Sequence, residues 1–143
     1  MLLDASGVSV IDRIANPDKA NRDSVSRYGG GMSKVVTIDD LFDSIGDWGA
    51  GFLATLGDDE RIRLVALRPD VVTQPHGRVL RFAGAGGGTV ANAAVRDRVS
   101  MAFPPHPSSN GFSLIVDGIA TVDADGDTLD VRPLSAVLHR PAP

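Results

Sequence analysis

From Ala50 to Arg132 the chain is a succession of short alternating runs, each closed by glycine, proline or aspartate, and this punctuation constrains the fold most. Runs this short with every second residue apolar are strands, because side chains on a strand alternate between faces. They are Ala50–Leu56, Arg61–Leu67, Arg78–Ala83, Arg98–Phe103, Phe112–Val122 and Thr128–Arg132. Gly57-Asp58-Asp59-Glu60 is spaced as a hairpin turn between the first two, and Asp123-Ala124-Asp125-Gly126-Asp127 as another between the last two. Ile62, Leu64 and Ala66 share one face of the second run, with Arg61, Arg63 and Val65 on the other. Pro69 interrupts that run, Val71-Val72-Thr73 resumes it, and Pro75-His76-Gly77 turns the chain into the third. The Phe112–Val122 run has apolar residues on both faces, with Gly118 marking a bulge or a close backbone approach. Pro104 to Gly111 is a loop, and Ser135 to His139 is a turn of helix or an extended tail. Six strands joined mainly by hairpins imply a closed or nearly closed antiparallel barrel.

Two helices interrupt the strands. Over Thr37–Trp48, Thr37 suits the N-cap, Asp39 and Asp40 sit where the helix dipole favours acids, and Ile38, Leu41, Phe42 and Ile45 make one apolar stripe. Over Thr89–Arg96 the apolar side reads as Val90, Ala94 and Val95. Residues 1–31 differ in character. Pro17 ends a brief apolar pattern, a polar stretch follows, and Tyr28-Gly29-Gly30-Gly31 resembles a joint. The expectation is a flexible N-terminal leader over residues 1–31 and one domain over 32–143.

A net charge of −4 provides no basic field for nucleic acid or an anionic membrane. With no cysteine, disulfides, thiolate catalysis and cysteine metal sites are excluded. Met1-Leu2-Leu3-Asp4 does not read as a signal peptide, and no apolar run is long enough to span a bilayer. The expected location is the cytoplasm.

Phe82-Ala83-Gly84-Ala85-Gly86-Gly87-Gly88-Thr89 joins a strand to a helix. Such a loop is either a mobile connection or a phosphate cradle, since bare backbone N–H groups ahead of a helix start can approach an anion closely. A dinucleotide fingerprint needs a third small residue where Thr89 stands, and an acid after the next strand, where Phe103-Pro104-Pro105 stands. A P-loop needs a lysine before Thr89, and Gly88 is there. His76, His106 and His139 lack metal-ligand spacing, and no G-x-S-x-G elbow is present. Arg61, Arg63, Arg68 and Arg81 lie on or beside the strands that precede the glycines. Arginines within apolar runs need anionic partners, either the protein's own aspartates or a bound phosphate.

The order helix, hairpin, Arg63-Leu64-Val65-Ala66-Leu67-Arg68, strand, glycine loop, short helix, strand resembles the pyridoxamine 5′-phosphate oxidase-like, FMN-binding split-barrel family, in particular its small actinobacterial members. The resemblance covers about Thr37 to Val131. In the oxidase an arginine and, five positions on, a lysine contact the flavin phosphate region, and Arg63 and Arg68 stand at that spacing. Arg81-Phe82 and Gly86-Gly87-Gly88-Thr89 stand where the family has its next strand end and its phosphate-holding Ser-Arg-Lys run. The resemblance implies a mainly β, six-stranded antiparallel split β-barrel of Greek-key type with two or three short helices. It also implies a flavoprotein oxidoreductase that is a homodimer with the cofactor at the interface. Arg63, Arg68, Gly87, Gly88 and Thr89 would hold the FMN phosphate, and Arg81 and Asn92 would touch ribityl or ring. No catalytic acid or base and no metal ligand is assigned. Two alternatives stay open: the deazaflavin F420 in place of FMN, and a split barrel without flavin that serves as a binding or dimerisation module.

Overall fold

A computed structural model describes residues 25–28 and 31–142. Among these residues nine strands form one antiparallel sheet: β1 Val25–Tyr28, β2 Gly31–Val36, β3 Gly51–Leu56, β4 Ile62–Leu67, β5 Asp70–Gln74, β6 Gly77–Phe82, β7 Arg98–Phe103, β8 Ser113–Val122 and β9 Leu129–Arg140. The helices are α1 Ile38–Ser44, continued by a 3₁₀ turn over Ile45–Asp47, and α2 Gly87–Val95. The mainly β, split-barrel architecture is as expected, but the strand count is not. All six expected strands are present, and β1, β2 and β5 are additional.

Strand β9 is the hub. One edge pairs with β8 along its length, while the other pairs with β6 through Leu129–Val131 and with β2 through Ala136–Arg140. Strands β7, β8 and β9 follow one another as neighbours and β6 returns beside β9, which is the Greek-key arrangement. Among the described residues the sheet does not close, because β4 pairs only with β3 and β5 only with β6. The strand expected to end at Arg132 continues to Arg140 because Pro133, which has no N–H to donate, lies opposite Gly118 beside a register shift at Asp117/Gly118. The bulge absorbs the missing bond. The tail at Ser135–His139 is therefore strand.

The inward face of both branches feeds one core that includes Leu53, Leu80, Phe82, Met101, Phe103, Phe112, Leu114, Val116 and Val131. Helix α1 closes one side with Leu41, Phe42 and Ile45, and its start is capped as expected, the Thr37 hydroxyl oxygen accepting from Asp40 N–H at 3.2 Å. In α2 the buried residues are Thr89, Val90 and Ala93, whereas Ala94 and Val95 face outward. This corrects the expected apolar side. Val90 is inward as expected, but the stripe continues through Thr89 and Ala93 because that side of the helix packs on the core, and the helix begins two residues earlier than expected, at Gly87.

The leader expected over residues 1–31 lies mostly outside the described residues. Within it, β1 pairs with β2 through Val25↔Lys34 to Tyr28↔Gly31. No helix among the described residues is long and apolar enough to cross a membrane.

Candidate functional site

The glycine stretch acquires its shape from two left-handed positions, Gly84 at φ 69° and the N-cap Gly86 at φ 87°, which side chains with a Cβ rarely adopt. They bend the chain sharply from the end of β6 into α2. The first intrahelical bond of this end runs from Val90 N–H to Gly86 O, so the N–H groups of Gly87, Gly88 and Thr89 precede the helical ladder. With the helix dipole, they make this end of α2 attractive to negative charge. The protein supplies some of that charge itself, because the Gly86 N–H donates to Asp127 Oδ1 at 3.0 Å.

One row of α2, at spacing i, i+4, i+8, faces the β3–β4 hairpin. Gly88 meets the Arg63 guanidinium, whose Cζ lies 2.5 Å from where a Cβ on Gly88 would be. Asn92 Nδ2 donates to Thr55 Oγ1 at 3.2 Å. Arg96 Nη1 pairs with Asp58 Oδ1 at 2.8 Å. Register along β4 points Arg63 towards this row, as Thr55↔Arg63 are cross-strand partners on one face, and Arg61, just before β4, lines the same space. Between hairpin and helix lies an open cavity of about 640 Å³, lined by Gly57, Asp58, Asp59, Arg61, Ile62, Arg63, Gly88, Ala91 and Asn92.

Of the residues singled out from sequence, Arg63, Gly88 and Asn92 come together in this cavity. Gly87 is the exposed first residue of α2. Thr89 is buried, and its Oγ1 has no hydrogen-bond partner among the described residues. Arg68 lies elsewhere, its Nη2 donating to Gly46 O at 3.3 Å. Arg81 makes a bidentate pair with Asp130, Nε to Oδ1 at 2.8 Å and Nη2 to Oδ2 at 2.9 Å. This pair raises the Arg81 pKa and, first among its causes, lowers that of Asp130. Arg81 thus has the intramolecular partner that one reading of the arginines required, whereas Arg63 has no hydrogen-bond or ion-pair partner among the described residues.

Sequence reading did not assign Arg61, Asp58, Asp59 or Ile62 to the site. The signal available was alternation: Arg61 and Arg63 are two apart, hence on one face. Electrostatically the cavity is mixed. Asp58 is answered by Arg96, and Asp59 lies 3.7 Å from Arg61 with both side chains well exposed, a contact that solvent screens strongly. An unpaired guanidinium, helix-start N–H groups and a glycine whose missing Cβ lets the arginine lie close form a donor set suited to a phosphate. They fit the phosphate end of a flavin nucleotide.

A second feature borders this cavity. The outward face of β3 and β4 carries Phe52, Leu56, Ile62 and Leu64, which are 46%, 37%, 69% and 61% exposed. The register Phe52↔Ala66, Ala54↔Leu64 and Leu56↔Ile62 puts all six on one side as a continuous apolar patch. Ile62 belongs to both patch and cavity lining.

No family model matches the chain. Two curated relatives, Uncharacterized protein Mb0449c of Mycobacterium bovis and Uncharacterized protein MT0457 of Mycobacterium tuberculosis, are each 34% identical over 120 residues, covering 77% of this chain and 84% of theirs. Among solved structures, the FAD-binding protein from Mycobacterium smegmatis superposes with a TM-score of 0.52 at 21% identity, over 75% of this chain and 96% of that one. A FAD-binding protein from Mesorhizobium loti superposes at 0.54 with 14% identity and the same coverage. At these identities the structural likeness concerns the fold.

Proposed function

We propose, for a chain that belongs to one family with the two mycobacterial proteins, that it binds a flavin nucleotide, with FMN as the minimal ligand, and serves as an oxidoreductase. The observation that carries this reading is the unpaired Arg63 guanidinium resting on Gly88 at the start of α2. The two fold neighbours named as FAD-binding support the ligand class. The Arg63 guanidinium and the N–H groups of Gly87 and Gly88 would hold the phosphate, while Asn92, fixed by its bond to Thr55, would face the ligand with its remaining amide capacity. The bound flavin would supply the hydride or electron transfer, the protein providing position and charge. No side chain is assigned as acid or base.

A homodimer belongs to the same reading. Monomeric proteins rarely expose a contiguous apolar patch such as Phe52, Leu56, Ile62 and Leu64, and a second copy would cover this face with the same apolar residues. Because Ile62 also lines the cavity, a partner seated there would border the ligand. The use of Asp127 as the anion at Gly86 N–H favours a second reading, a split barrel without flavin that acts as a binding or dimerisation module.

Absorbance and thermal shift with riboflavin, FMN and F420 separate these readings. FMN is expected to bind at least about tenfold more tightly than riboflavin, the difference one charge-assisted phosphate contact supplies. F420 binding with FMN inert would select the deazaflavin. No response to any of the three would leave the module reading.

A further inference from the structure

The cavity holds a second cation for which a single phosphate provides no use. Arg61, the residue just before β4, lines the same cavity as Arg63. Its side chain is 87% exposed, and among the described residues its ionic contact is Asp59 at 3.7 Å. The other acid of the cavity, Asp58, is already answered by Arg96 at 2.8 Å. Of the lining charges, Asp58 is thus answered from outside the lining, which leaves Arg61 and Arg63 against Asp59.

We infer that the site takes a ligand with two anionic groups in series, the first at Arg63 and Gly88 and the second at Arg61, so that a flavin diphosphate is preferred over a monophosphate. This deepens the cofactor reading above and rests on it. Arg61 exchanges a weak, solvent-screened contact for a charge-assisted one, and its planar fork suits a phosphate oxygen pair. It is a specificity residue, since the first phosphate is bound without it.

The test measures riboflavin, FMN and FAD affinities by fluorescence quenching for the wild type, R61A, R61K and R63A. The wild type is expected to bind FAD about fivefold or more tighter than FMN, a discount on a fully desolvated contact because Arg61 is exposed. R61A should bring FAD to the FMN affinity while leaving FMN within about twofold, R61K should restore part of the preference, and R63A should weaken both ligands. Equal affinities for FMN and FAD in the wild type, or a loss on R61A shared by both ligands, overturns the inference while the cofactor reading stands. Absence of binding by all three flavins overturns the cofactor reading and this inference together.

Discussion

The guanidinium of Arg63 occupies space that only a glycine at position 88 leaves open: a Cβ there would lie 2.5 Å from its Cζ and 2.7 Å from its Nη2. Real Cβ atoms do not approach so closely, so Gly88→Ala must push the guanidinium aside. A flexible side chain yields more readily than backbone, and alanine is the better helix former by about 1 kcal/mol. Gly88→Ala is therefore expected to keep or raise the melting temperature while lowering FMN affinity by about tenfold or more. A variant that is as stable and binds FMN as before would remove Arg63 from the site.

The two arginines that resemblance placed at the phosphate lie apart, and their substitutions should separate accordingly. Arg63→Ala removes the unpaired cation of the cavity, with an expected loss of FMN affinity of about ten- to a hundredfold. Arg68→Ala removes a hydrogen bond to Gly46 O and should change affinity by less than about threefold. Isothermal titration of both variants measures the contrast.

Leu64 stands in the middle of the apolar patch of β3 and β4, opposite Ala54, and is 61% exposed. Leu64→Glu should leave folding stability within about 0.5 kcal/mol, as for most exposed substitutions. In the proposed dimer it would bury a charge without a partner. Light scattering is expected to show a dimer for the wild type and a monomer for the variant. A monomeric wild type would reject this use of the patch.

Gly118 tests the bulge that keeps β9 continuous. A Cβ there would meet Arg132 O and Val131 Cγ1, both at 2.7 Å, and a paired backbone cannot move aside cheaply. Gly118→Ala should cost about 2 kcal/mol, a Tm fall of roughly 6–10 °C at this chain length. Gly46→Ala, where nothing lies within 4 Å of the added Cβ, is the matched control and should be near neutral.

The Arg81–Asp130 pair predicts an acid-side dependence of stability. Its hydrogen bond from Arg81 holds the Asp130 carboxyl below its ordinary pKa, with Gln74 Nε2 donating as well at 3.0 Å. A group whose folded pKa is depressed stabilises fully above its unfolded value, about 3.9 for aspartate, and loses that contribution as pH falls through the folded value. Denaturant melts between about pH 2 and 6 should show Asp130→Asn with a shallower acid-side fall than the wild type. Parallel pH profiles would mean that the pair contributes nothing to acid stability.

Much of the scaffold was legible because its signals are local. The Thr37 cap, the phase of β4, and the turns at Gly57–Glu60 and Asp123–Asp127 depend on neighbours within a few residues. Alternation also assigned Arg63 and Ile62 to opposite faces, as the structure has them. Where the reading stopped short, a distant element had intervened. Strand β9 runs past Pro133 because Gly118 faces it, and α2 begins at Gly87 because two glycines in left-handed conformations turn the chain early.

What the sequence by itself determined, then, was the supply: short strands, a glycine-rich entry to a helix, and four arginines near it. Which arginine reaches the glycines was decided only when α2 lay across the β3–β4 hairpin with Gly88, Asn92 and Arg96 facing it. Arg81 met Asp130 because β6 and β9 are cross-strand neighbours 49 positions apart, and Arg63 was left without such a neighbour. The same docking left Phe52, Ile62 and Leu64 outward, although their spacing is that of any buried strand. Period two tells which residues share a face. It does not tell whether that face meets the core, solvent or a second chain, because that depends on what packs against it.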